Sequence, residues 1–309
     1  MKDLALFAEE SSLFAAPHLA EALDVPLYVM LPQYNNLMGN GRQGIPWQEG
    51  RAIRESNIII IGYTALTALM PRISAGRYRS IAVIFSDSLC AKYCNEWNIL
   101  THHHRITVYI MPDLAQYSRG KYIPAYQTIN IQNINTNKAK EGLIIAHSPR
   151  DNSKVIAKGS LAITRTINDL KKKHDFEYIS ITKKPYHACL HIKSQAHIFI
   201  DQLINGNPEV PQERWGRRQL KYKGGLGKSG IEAMLMGCCV ITGGEEPDTN
   251  DYFPSPPVVW TSYEYFSMDL ERLIEDPDYR EKKAEDQKQW AEKYTSAEFV
   301  AIHITQHLR

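Results

Sequence analysis

The sequence predicts an α/β protein of two successive doubly wound, Rossmann-like domains facing a cleft. Three observations predict it. Short, continuously apolar runs alternate with helix-spaced stretches, as in parallel sheets covered on both faces. The alternation stops near Gln116 and restarts near Gly142. Finally, 309 residues is the length of two ordinary domains, and 43% hydrophobic with 23% charged residues suits folded domains rather than disorder or a coiled coil.

In the first domain, residues 1–120, Leu4–Phe7 reads as a buried strand. Leu13, Ala16, Leu19, Ala20 and Leu23 then recur near helical spacing, predicting a helix from about Ser12 to Leu23. Pro26–Leu31, Ile58–Ile61, Ile81–Phe85 and Arg105–Ile110 follow as strands. The stretch from Gln116 to Lys140 is rich in Tyr, Asn and Gln, holds Pro124 and shows no apolar face. It reads as an interdomain crossover, residues 121–140.

The second domain, residues 141–295, restarts with a strand at Gly142–Ala146. A helix over Ser160–Lys172 carries Leu161, Thr164, Ile167 and Leu170 on one stripe. Strands at Glu177–Ile181 and His197–Ile200, a helix at Gly230–Met236 and a strand at Cys239–Thr242 continue the pattern. Asp278–Tyr294 is a charged helix, and residues 296–309 form a last helix expected to pack back on the first domain.

Thirty-six Lys and Arg against 34 Asp and Glu leave +2, which argues against a wholly basic, nucleic-acid-gripping surface. The most apolar run, Asn57–Gly62, is far shorter than the roughly 20 residues that span a bilayer. No signal-peptide pattern precedes it, and five cysteines outside any zinc spacing suit a reduced, cytoplasmic chain.

The most informative segment is Lys223-Gly-Gly-Leu-Gly-Lys-Ser-Gly-Ile-Glu-Ala-Met-Leu-Met-Gly237. Its glycines let backbone approach a ligand, and the helix after them presents unpaired N–H groups, together a cradle for a diphosphate. Glu232, in the first turns, could accept hydrogen bonds from vicinal sugar hydroxyls. A Walker A loop fails on spacing, because its first glycine falls on Tyr222. A plain glycine turn before a core helix stays open as the alternative.

Four motifs in order resemble the donor-binding region of GT-B glycosyltransferases, specifically the family 4-like (group 1) retaining enzymes. They are Ala146-His147-Ser148-Pro149, Lys158-Gly159-Ser160, Ile200-Asp201-Gln202-Leu203, and Gly230-Ile231-Glu232-Ala233-Met234 with Gly237. The resemblance covers about residues 140–245; the first half matches only in general pattern. It implies that Lys158 neutralises a donor diphosphate, with Arg150 or Lys154 as a second cation. It implies further that Glu232 holds the ribose hydroxyls and that Gly225, Leu226, Gly227, Lys228 and Ser229 present amides to phosphate or sugar. Three features depart from the family: Gly224 stands where a Glu-x7-Glu pair has its first glutamate, Asn207–Lys221 is an insertion, and His147 lies further from Lys158 than usual.

On the acceptor side the candidates are Asp87, Glu9, Asp201, Arg217 and Arg218. Asp87 follows a strand end, where it could orient a hydroxyl or act as a base; capping the helix after it is the alternative. His18 is a further cleft candidate. Where the family carries a glycine-rich loop after the first strand, Glu9-Glu10-Ser11-Ser12 stands instead. His102-His103-His104 has no carboxylate or cysteine at ligand spacing and reads as a solvated loop. Arg214–Lys223 interleaves Trp215 and Tyr222 with cations, as a surface stacking bases and holding phosphates would. The polar loop Pro32–Gly50 is an acceptor-contact candidate.

By resemblance, then, the chain is expected to transfer a sugar from a nucleoside-diphosphate sugar, uridine-linked, to a hydroxyl on a glycan or small molecule. Retention of anomeric configuration and no metal or other cofactor are expected. One alternative acceptor is a hydroxymethylated pyrimidine in DNA, as in phage-type DNA glycosyltransferases. A nucleotide-sugar-binding or epimerase-like protein of the same fold is the alternative outside transfer.

Overall fold

The computed structural model describes residues 3–8, 16–30, 44–47, 53–85, 105–110, 121–122, 138, 142–149, 158–210, 225–244, 246 and 254–306. The chain divides into two units. One comprises Met1–Asn130, Thr249–Phe253 and Tyr294–Arg309, the other Ile131–Asp248 and Pro254–Lys293.

The first unit is built on β1 (Leu4–Ala8), β2 (Leu27–Val29), β3 (Ile45–Pro46), β4 (Asn57–Ile61), β5 (Ser80–Phe85), β6 (Ile106–Ile110) and β7 (Lys121–Tyr122). Their spatial order is β3-β2-β1-β4-β5-β6-β7 and every pairing is parallel. All of β1 and four of five residues in β4 are buried, as the continuous apolar runs require. The helices α1 (Ala16–Leu23) and α2 (Tyr63–Ser74) belong to this unit. β3 falls inside the stretch read from sequence as an acceptor loop, and β7 inside the stretch read as the crossover, so the sheet runs past residue 120.

The second unit carries the parallel strands β8 (Ile144–His147), β9 (Glu177–Ser180), β10 (Ile198–Leu203), β11 (Cys239–Gly243) and β12 (Val259–Thr261), in the order β12-β11-β10-β8-β9. Its helices are α3 (Ser160–Leu170), α4 (Tyr186–Gln195), α5 (Lys228–Leu235), α6 (Phe266–Glu275) and α7 (Pro277–Tyr294). Strand alternation sorts them. Ile198 and Ile200 of β10 join Ile145 and Ile241 in a core with Ala162, Ile163 and Ile167 of α3 and with Phe266, Leu270 and Leu273 of α6. Phe199 and Asp201 point the other way, Phe199 toward Lys193 of α4 and Asp201 toward Gly227 before α5. The last helix, α8 (Ala297–Thr305), starts on Ser296, whose hydroxyl accepts the Phe299 N–H over 3.1 Å, and it packs against α1.

The charged helix α7 hides one polar side chain for a structural reason. β12 pairs with β11 only from Ile241 onward, which would leave Val240 unpaired on that edge. Gln287 is fully buried there: its carbonyl accepts the Val240 N–H at 2.6 Å, and its amide donates to the Val240 carbonyl at 3.2 Å. Gln287→Leu keeps the volume and strands both backbone groups, so a loss of about 2 kcal/mol or more is expected in denaturant unfolding. An unchanged midpoint would mean that the strand edge finds other partners.

Candidate functional site

The strand order of the second sheet reverses between β8 and β10, and open α/β sheets bind ligands beyond the strand ends at such a switch point. At that point Ile200 stands opposite His147 in the parallel register. His147 is fully buried and its Nδ1 lies 2.7 Å from the Ile200 carbonyl. A carbonyl only accepts, so Nδ1 carries the proton and Nε2 accepts from the Ser160 hydroxyl at 2.8 Å. Burial, reinforced by the nearby Lys158 charge, pushes this imidazole down to about 4, and it stays neutral near pH 7. His147 thereby ties the end of β8 to the first turn of α3.

Gly159 precedes that turn with a left-handed φ of 70°, and no side chain caps the helix. A Cβ at this position would lie 2.0 Å from the Leu203 carbonyl oxygen. Close packing of the α3 start on the end of β10 therefore demands glycine, and it places Lys158 beside β10. There the Lys158 ammonium reaches Asp201 Oδ1 at 3.3 Å.

Asp201 is fully buried, and its other oxygen accepts the Gly227 N–H at 2.6 Å. One carboxylate thus joins the approach to α3 and the start of α5. A Cβ on Gly227 would stand 3.0 Å from Asp201 Oδ2, and one on Gly230 would meet Leu226 Cδ1 at 2.6 Å, so both glycines serve close approach. The loop is also held from below: the Gly225 carbonyl accepts from the Gln202 amide and, at 3.1 Å, from the Thr242 hydroxyl. α5 begins at Lys228, two residues earlier than its apolar pattern suggests, on Gly227 and again without a side-chain cap. The first N–H groups of a helix have no acceptor within it and carry partial positive charge.

Beyond this start lies a second polar cluster. The Glu232 side chain is 5% exposed. Its Oε1 accepts from the Tyr186 hydroxyl at 2.9 Å, its Oε2 accepts from the Lys193 ammonium, and Lys228 Nζ stands 3.8 Å from Oε1. Lys193 also donates to Ser229 Oγ at 2.8 Å. Desolvation pushes the Tyr186 phenol up, with Glu232 adding to the effect. Lys228 moves from the ordinary 10.5 to about 8, mainly by burial, with Glu232 opposing and Lys193 adding to the fall. Between about pH 8 and 10.5 the unfolded chain therefore binds more protons at this lysine, so its contribution to stability rises with pH across that window. Below pH 8 the folded state bears the full cost of the buried charge.

Lys158, Gly225, Leu226, Gly227, Lys228, Ser229, Glu232 and Asp201 thus come together around one helix start and one sheet edge. Asp201, expected from sequence on the acceptor side, has both oxygens committed to Lys158 and the Gly227 N–H. Asp87, Arg150, Lys154, Glu9, Arg217 and Arg218 lie outside the described residues, as do His102–His104. His18 sits on α1, where burial holds its imidazole below the usual value. Lys193, Tyr186 and Thr242 do not stand out in the sequence as site residues, and Gln202 does so only as part of the Ile200–Leu203 motif. The only usable signal is at Lys193, three positions after Leu190 on the buried stripe of α4.

Among the described residues, His174, Glu271 and Glu275 have metal-ligand spacing. Glu271 accepts from both His174, at 3.0 Å, and Lys173, at 3.2 Å, so the group acts as an ion-pair tie between the end of α3 and α6. Among the described residues, no helix is long and apolar enough to cross a membrane.

No family model matches the chain, and no curated protein matches it in sequence. Solved structures do match. A glycosyltransferase from Rickettsia africae has a TM-score of 0.61 at 10% identity, over 99% of this chain and 97% of that one. Sucrose-phosphate synthase from Thermosynechococcus elongatus gives 0.59 at 13% identity, over 99% and 98%. The DNA modifying enzyme β-glucosyltransferase, seen with and without its substrate uridine diphosphoglucose, gives 0.52 at 10% identity, over 99% of both chains. With the two parallel sheets above, these likenesses establish the fold: α/β, two Rossmann-like domains of the GT-B type.

Proposed function

We propose that the protein is a glycosyltransferase whose second unit binds a nucleoside-diphosphate sugar, uridine-linked, and passes the sugar to a hydroxyl acceptor with retention of configuration. One observation carries the donor site, while the uridine link and retention rest on the resemblance of the four motifs. Asp201 binds Lys158 before α3 and the N–H of Gly227 before α5, so that a cation and two uncapped helix starts meet at the switch point of a parallel sheet. Such a point suits a dianionic diphosphate. Lys158 and Lys228, 21% and 25% exposed at their side chains, are within reach of a ligand from solvent.

Roles follow from chemistry. The loop amides from Gly225 to Ser229 and the two lysines stabilise the charge that builds on the leaving diphosphate. Glu232 takes the ribose hydroxyls. Asp201 is assigned here to holding Lys158 and the loop rather than the acceptor. Asp87, Glu9, Arg217 and Arg218 stay as acceptor candidates, Arg150 and Lys154 as further diphosphate cations. On this reading lysines and helix starts do the work of a metal, so transfer should continue in the presence of a chelator.

A thermal-shift series over nucleoside diphosphates and their sugars tests the donor site, because a ligand bound to the native state must raise its melting point. Stabilisation by uridine diphosphate that disappears in Glu232→Ala and Lys158→Ala is the expected result. No shift with any nucleoside diphosphate would sink the proposal.

Lys228 adds a signature in pH. A bound diphosphate restores its charge, so binding near pH 8 should take up a proton, and affinity should fall as pH rises through about 8. Calorimetry in buffers of different ionisation enthalpy measures both. Flat affinity between about pH 7 and 9.5 would remove Lys228 from the site.

Transfer to a hydroxymethylated pyrimidine in DNA is the second reading. It is favoured by the six cations without an acid between Arg214 and Lys228. Glycosylation of a hydroxymethylated duplex should then weaken steeply with salt and with neutralisation of Arg214, Arg217 and Arg218. Salt-insensitive activity on a small acceptor alone would leave the first reading.

A further inference from the structure

A lysine is almost never fully buried unless paired, and Lys193 is 2% exposed. Among the described residues, its ammonium meets three groups. It donates to Glu232 Oε2 and to Ser229 Oγ, the latter at 2.8 Å, and it lies 5.1 Å from the centre of the Phe199 ring. Ser229 is the second residue of α5, so Lys193 stands directly behind the helix start assigned to the diphosphate.

That position answers an electrostatic difficulty. Two carboxylates, Asp201 and Glu232, border a place meant for an anion. Asp201 is balanced by Lys158 and the Gly227 N–H. Among the described residues, the titratable groups around Glu232 are Tyr186 and Cys189, both neutral near pH 7, with Lys228 and Lys193. Lys228 Nζ is 3.8 Å from the carboxylate, beyond hydrogen-bond range, whereas Lys193 donates to it directly. Among the described residues, Asp201 and Glu232 would without Lys193 cancel the charges of Lys158 and Lys228.

We infer that Lys193 is a positioning residue of the donor site: its buried ammonium orients Glu232 and cancels its charge, so that a carboxylate able to take sugar hydroxyls can stand beside a diphosphate. Tyr186 fixes the other carboxylate oxygen, and Lys193 the first turn of α5 through Ser229. The inference rests on the donor-site reading of Glu232 and the α5 start.

The test measures binding of inorganic pyrophosphate and of uridine diphosphate to the full chain by calorimetry. Lys193→Met should weaken both by about tenfold or more, since it leaves a buried carboxylate facing the anion. Lys193→Arg should keep most of the affinity. Lys193→Met combined with Glu232→Gln removes both charges and should restore pyrophosphate to within about threefold of the parent, because a buried pair can be replaced by neutral groups at little cost. A lysine with a structural role alone would lower the melting point of Lys193→Met while leaving the pyrophosphate affinity of the folded protein unchanged.

Pyrophosphate binding that is unchanged in Lys193→Met, or as weak in the double variant as in the single, overturns the inference and leaves the donor site standing. A parent protein that binds neither ligand overturns the donor site itself. If Lys193→Met does not fold, the double variant decides: folded and competent for pyrophosphate supports the inference, folded and incompetent overturns it.

Discussion

Gly159→Ala is expected to cost about 3–6 kcal/mol of stability. Three losses act together. A left-handed φ of 70° is strained for any residue with a Cβ, by about 1–2 kcal/mol. The added Cβ would lie 2.0 Å from the Leu203 carbonyl oxygen and 2.7 Å from Asn207 Nδ2, so backbone at the end of β10 must move. That carbonyl already accepts the Asn207 amide at 2.9 Å, a bond the displacement breaks. Gly142 is the control, because it has a similar φ of 76° and a methyl group added there would meet nothing within 4 Å. Gly142→Ala should therefore show the backbone cost alone. Denaturant midpoints for the two variants measure the difference; equal losses would mean that close packing of α3 on β10 contributes nothing. Since the same packing sets Lys158 beside Asp201, Gly159→Ala should also abolish nucleoside-diphosphate binding wherever the fold survives.

What can be read from sequence follows from how local each interaction is. β1, most of β4 and the first three residues of β10 and of β11 are apolar runs buried on both faces; α3 buries Ile163, Ile167 and Leu170, while Leu161 and Thr164 of the stripe expected from sequence are exposed. These announce themselves within a few residues. β3 and β7 are two-residue strands and β12 has three, too short for any periodicity; only pairing to a neighbour makes them strands. α4 escapes a pattern reading because its buried face holds Lys193 and Ser194 beside Leu190, which breaks the apolar stripe. α6 is a different case: Phe266, Leu270 and Leu273 do have helical spacing, and that stripe is legible in the sequence.

The site divides along the same line. Its residue types are legible, because a glycine loop opening a helix, a lysine before a glycine and a carboxylate in the helix have recognisable order. Their partners are not. Asp201 reaches Gly227 across 26 positions, and Lys193 reaches Glu232 across 39. Such pairings are set by strand order and by which way alternate side chains of β10 point, neither of which a local pattern contains. The full burial of Asp201 and its bonds to Lys158 and the Gly227 N–H are likewise absent from any local pattern.

Lys158→Ala should have the largest effect on chemistry, lowering transfer by about a hundredfold or more. Departure of a diphosphate builds negative charge, and a cation aimed at it lowers the barrier without needing to strengthen donor binding equally. Removing Lys158 also leaves Asp201, fully buried, with the Gly227 N–H as its remaining partner among the described residues, so a carboxylate then faces the phosphates. Both donor affinity and turnover should fall, for separable reasons. Lys158→Ala with Asp201→Asn removes the repelling carboxylate, and donor affinity should recover toward the parent. Turnover should not, because the charge that stabilised the leaving group is still missing. Steady-state kinetics with a uridine-linked sugar donor, with binding measured separately, resolves the two. If Lys158→Ala transfers sugar at the parent rate, the cation at the leaving group lies elsewhere and the mechanism drawn from this site fails. If the double variant recovers turnover along with affinity, Lys158 acts only by neutralising Asp201, and catalysis belongs to the helix start and Lys228.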